Sequence, residues 1–112
     1  MKKINLVLKT DDKLISDDNY NYKEEDTYKV IDYNGVTLKL KLDEEDFIFI
    51  RETNDDIFKI ENKQGLITLK DINQNFDIDL SKCEYYKEDN THYITYSIEG
   101  DGSLIEIIIK EQ

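Results

Sequence analysis

Apolar and polar residues alternate with a period of two in one short run after another, and this pattern leaves little choice of fold. Ile4, Leu6 and Leu8 are offset by Asn5, Val7 and Lys9, and Val36, Leu38, Leu40 and Leu42 by Thr37, Lys39 and Lys41. The same period returns in Phe58 and Ile60, in Ile67 and Leu69, in Phe76, Ile78 and Leu80, in Ile94, Tyr96 and Ile98, and in Ile105, Ile107 and Ile109. Successive side chains of an extended strand point to opposite faces, so each run has one dry and one wet face. No stretch carries a helical period. Turn chemistry falls between the runs: Asn34-Gly35 suits a type I′ hairpin, and Asn54-Asp55, Lys63-Gln64-Gly65, Asp89-Asn90 and Gly100-Asp101-Gly102 mark further reversals. Reversals about ten residues apart predict an all-β antiparallel meander of eight or nine strands that closes into a small barrel, with a β-sandwich as the alternative.

Two runs depart from simple alternation. Phe47 to Ile50 and Leu104 to Ile109 are apolar on both faces, which predicts central strands or strands covered by another element. Residues 11–26 go the other way. Acids dominate this stretch, and its apolar residues, Leu14, Ile15, Tyr20 and Tyr22, are scattered. A mobile acidic loop is the expectation there.

The chain has 112 residues, enough for one ordinary core, so a single domain over residues 1–112 is expected. Twelve aromatic residues and no proline argue against a disordered tail. Cys83 is alone and cannot form an internal disulfide, which favours a reducing compartment. The opening Met-Lys-Lys resembles the start of a secretory signal. However, Ile4 to Leu8 is interrupted by Asn5 and followed by Lys9, Asp11 and Asp12, which leaves no apolar signal core. No apolar run approaches the roughly 20 residues of a spanning helix. A cytoplasmic protein without membrane contact, monomeric or homodimeric, is therefore expected. With 26 acids against 15 basic residues the formal net charge is −11, which repels phosphate and speaks against direct nucleic-acid binding.

Candidate sites are few. His92 and Cys83 are the only residues of their types, but Glu84, Glu88 and Asp89 would disfavour a thiolate; a half-buried Cys83 and a solvated His92 are expected, with no catalytic role. Asp17, Asn19 and Asn21 match the first oxygen positions of an EF-hand loop, but Tyr22 stands where glycine is needed and Tyr28 where the bidentate glutamate should be. No metal site and no cofactor is expected. Tyr28, Tyr33, Tyr93 and Tyr96 lie on predicted strands, where inward-facing rings could line a pocket for one small ligand. Asp17, Asp18, Glu24, Glu25, Asp26, Asp43, Glu44, Glu45 and Asp46 form two acidic groups that suit a basic partner.

The opening KKINLVLKT, the hairpin YNGVTLKLKL and the closing pair THYITYSIEG and SLIEIIIKEQ together resemble the YwiB-like family of small bacterial proteins. That resemblance covers most of the chain and implies a lipocalin-like, or calycin, β-barrel of uncharacterised function. The middle of the chain, from Thr53 to Leu80, is more compressed than in the family. A lipocalin Gly-x-Trp is impossible in a chain without tryptophan. Two non-enzymatic functions are expected from the whole: binding of a small apolar or aromatic ligand or a protein segment at a barrel mouth, or an acidic inhibitor or immunity-type protein acting on a basic partner such as a nuclease.

Overall fold

In a computed structural model the chain is all-β, and the structure describes residues 2–43, 45–63 and 66–112. The expected Lys63-Gln64-Gly65 reversal lies partly outside them, as does Glu44. Twelve strands follow in order: β1 (Lys3–Thr10), β2 (Lys13–Asn21), β3 (Lys23–Glu25), β4 (Tyr28–Tyr33), β5 (Val36–Leu42), β6 (Phe47–Glu52), β7 (Ile57–Lys63), β8 (Leu66–Asp71), β9 (Phe76–Ile78), β10 (Leu80–Glu88), β11 (Thr91–Ile98) and β12 (Ile105–Glu111). They form two antiparallel sheets, one of five strands in the order β10-β11-β12-β1-β2 and one of seven in the order β3-β4-β5-β6-β7-β8-β9. No closed barrel is found among the described residues, and the strand count exceeds the eight or nine expected. The chain divides into two compact units that coincide with the sheets: residues 1–21 with 79–112, and residues 22–78.

Both doubly apolar runs lie where their composition requires. β12 is the middle strand of the five and β6 the middle strand of the seven. In the first unit Ile107 pairs with Leu8 on one side and Ile94 on the other, and Ile109 pairs with Leu6 and His92. These side chains share one face with Ile4, and Ile4, Leu6, Ile94, Ile107 and Ile109 are all buried. In the second unit Leu38 and Leu40, Phe47 and Phe49, Ile60 and Leu69 occupy matching positions on consecutive strands and are buried together with Ile31. Cross-strand rows of branched and aromatic side chains are the unit of sheet stabilisation.

The acidic stretch is not a loop. β2 pairs with β1 over its whole length, from Lys3 opposite Asn21 to Thr10 opposite Lys13, with one irregularity between Leu8 and Lys9. A tight two-residue turn makes this possible. Asp11 and Asp12 both take positive φ, 51° and 65°, the left-handed pair that a type I′ hairpin demands and that aspartate tolerates better than most residues. The turn is fixed to the start of β12, the strand on the other side of β1: the Asp11 N–H donates to the Leu104 carbonyl at 2.9 Å, and the Leu104 N–H donates back to Asp11 Oδ1 at 2.9 Å. Asn34-Gly35 forms the expected turn between β4 and β5, with φ of 45° and 79°. Asp26-Thr27 makes an unexpected one between β3 and β4, again with both φ positive.

Each edge strand carries charged residues. β2 and β10 bound the first sheet, and β3 and β9 the second. Asp17 and Asp18 on β2, Lys23, Glu24 and Glu25 on β3, Asp77 on β9, and Lys82, Glu84 and Glu88 on β10 put charge on backbone that would otherwise template further strands.

Candidate functional site

On an antiparallel ladder, residues directly opposite one another share a face, and this rule sorts the candidate residues. On β2, Asp17 lies opposite Val7 and Asn19 opposite Asn5, while Asp18 lies opposite Leu6 on the other face. The Asn5 amide donates to Asp17 Oδ1 at 2.8 Å and to Asn19 Oδ1 at 3.1 Å, so one side chain holds both of its neighbours in place. An amide N–H donor sits among the oxygens that resembled an EF-hand, and the three residues share a strand rather than a loop. Among the described residues no group of three or more His, Cys, Asp or Glu side chains could hold a metal ion. Tyr20 donates its hydroxyl to Asp18 Oδ2 at 3.3 Å. Both acids are exposed.

Glu24 and Glu25 lie on β3 and Asp26 in the turn after it. Glu25 is 3.4 Å from Lys23. With Tyr28, Val30, Lys39 and Ile50, Glu25 and Asp26 line an open cleft of about 290 Å³ within the second unit. A second cleft of about 290 Å³ is lined by Lys41, Asp43, Asp46, Phe47, Ile48, Glu61, Asn62 and Lys63, which brings Asp43 and Asp46 together. Glu45 contributes through its backbone, since its carbonyl accepts from the buried Asn62 amide.

The four candidate tyrosines do not share a face within either unit. Tyr28 and Tyr33 are five residues apart on β4, so they point to opposite sides. Tyr93 and Tyr96, three apart on β11, do the same. Tyr96 lies on the face of Ile94, where burial raises its phenol pKa above the ordinary value. Tyr93 lies on the opposite face and stacks on Tyr86 of β10, ring centroids 4.6 Å apart and planes 13° from parallel.

The expectation for Cys83 and His92 is reversed. Cys83 is exposed, and His92 is fully buried on the same face as Ile94 and Ile109. Cys83 lies opposite Tyr96 and His92 opposite Lys87, four positions along the ladder, which puts roughly 13 Å between them and rules out a nucleophile pair. His92 is held by polar partners on the neighbouring strands: the Tyr85 hydroxyl is 2.9 Å from Nδ1, and Glu111 Oε2 is 3.5 Å from Nε2. The Tyr85 and His92 rings lie nearly parallel with centroids 6.2 Å apart. The hydrogen-bond contact with the Tyr85 hydroxyl orients the buried imidazole. Sequence reasoning missed it, although the parity of His92 with Ile94 and Tyr96 was the available signal.

No family model, curated protein or solved structure matches the chain.

Proposed function

We propose that the protein is a non-enzymatic binding module that holds a basic protein partner, in the manner of an acidic inhibitor or immunity-type protein. The supporting observation is that Asp17 and Asp18 stand on a fully paired edge strand, with Asn5 bonded to Asp17, rather than on a free loop. Ordering a loop on binding costs affinity, and charges already fixed in place avoid that cost. With a formal net charge of −11 the chain also attracts cationic partners at long range, which speeds encounter and makes it salt-dependent. This reading carries with it a cytoplasmic, bacterial setting. It also keeps the calycin-like barrel of the YwiB-like resemblance, or its sandwich alternative, as the proposed architecture.

The immobilised protein, exposed to lysate of its native host, is expected to retain basic proteins at about 50 mM salt and to release them by about 500 mM, as screening shortens the reach of exposed charges. Retention of neutral or acidic proteins, unaffected by salt, would count against the proposal.

A further inference from the structure

One row of side chains crosses the face of the five-stranded sheet opposite Ile107 and Ile109. Tyr86 lies opposite Tyr93, Tyr93 opposite Ile108, Ile108 opposite Val7, and Val7 opposite Asp17. Four strand spacings make this row about 19 Å long. Tyr86 is 48% exposed, while Tyr93, Ile108 and Val7 are half-buried. The stacked tyrosines therefore present one open ring face at the β10 edge.

The surroundings of that ring are acidic. Glu84 and Glu88 flank Tyr86 on its own strand and Glu106 lies diagonally from Tyr93; the ammoniums on this face, Lys110 diagonal from Tyr93, Lys9 opposite Glu106 and Lys82 beyond Glu84, do not flank Tyr86 directly. Partial desolvation at the sheet surface, then Tyr93, Glu88, Glu84 and Glu106, raise the Tyr86 phenol pKa, in keeping with the places of these carboxylates on the ladder. An aromatic face framed by carboxylates suits a guanidinium, which stacks on the ring and donates to the acids on either side.

We infer that this row is the docking stripe for an extended basic segment of the partner, with an arginine over Tyr86 between Glu84 and Glu88 and aliphatic residues along Ile108 and Val7 toward Asp17. The inference rests on the binding function proposed above and adds the partner's chemistry and its seat. A stripe of about 19 Å accommodates roughly six extended residues. A second copy of this strongly acidic chain is disfavoured by charge repulsion.

The test uses a fluorescein-labelled peptide of alternating arginine and leucine, with a twin in which citrulline replaces arginine, read by fluorescence anisotropy at about 50 mM salt. The arginine peptide should bind, and the citrulline twin should bind about tenfold more weakly. Tyr86→Ala should weaken the arginine peptide about tenfold, and Tyr86→Phe, which keeps the ring, by no more than about twofold. Backbone amide shifts on titration should concentrate on β10, β11, β12 and β1. If the peptide binds but Tyr86→Ala has no effect, or the shifts fall elsewhere, this seat is wrong while the acidic-binder reading stands. No binding of the peptide at all also refutes the seat, and the lysate experiment then decides the broader reading independently. Sedimentation showing a dimer that Tyr86→Ala dissolves would assign the stripe to a second copy instead.

Discussion

Replacing Ile107 by alanine should cost about 2–5 kcal/mol, a large part of the stability of a domain this size. Ile107 is 3% exposed at the centre of the middle strand of its sheet. Its neighbours Leu8 and Ile94 sit on strands fixed by their own pairing, so they cannot collapse into the space left by the missing atoms. The effect should appear as a lower denaturant midpoint with an unchanged slope. A neutral result would mean that β12 is peripheral, which the strand order forbids.

The second large effect concerns binding rather than folding. Exchanging Asp17 and Asp18 for asparagine and Glu24 and Glu25 for glutamine should slow association with a retained basic partner about 10- to 100-fold at low salt, because these exposed carboxylates supply part of the attractive field. Folding should scarcely change. All four side chains are exposed, and asparagine at position 17 still offers an oxygen to the Asn5 amide. An unchanged association rate would show that these acids take no part in attracting the partner.

The middle of each sheet was readable from the sequence and the edges were not, and the reason is physical. A central strand is covered more than an edge strand and tolerates apolar residues on both faces, so Phe47 to Ile50 and Leu104 to Ile109 announced the positions of β6 and β12, whose second faces are half-buried. An edge strand in water carries no such mark. Lys13 to Asn21 has only scattered apolar residues, and what holds it is backbone pairing to β1 through a turn of two left-handed aspartates, where asparagine and glycine are the usual signal. The same limit hid Tyr86: adjacent tyrosines at 85 and 86 place one ring on each face of an edge strand, one beside His92 and one on Tyr93. His92 is a different case. A lone polar residue between two half-buried ones reads as solvated unless its parity with Ile94 is given priority. The structure buries it on the face of Ile94 and Ile109, with the Tyr85 hydroxyl 2.9 Å from Nδ1.

Prearranged acids at Asp17 and Asp18 require β2 to be a strand in solution. Nuclear Overhauser contacts across the first hairpin measure this directly in solution. The pairing predicts contacts between the backbones of Asp17 and Val7 and of Asn19 and Asn5, together with strand-like shifts from Lys13 to Asn21. Random-coil shifts over those residues, with no contacts to β1, would return the acids to a free loop and contradict the proposal that they are held in place before a partner binds.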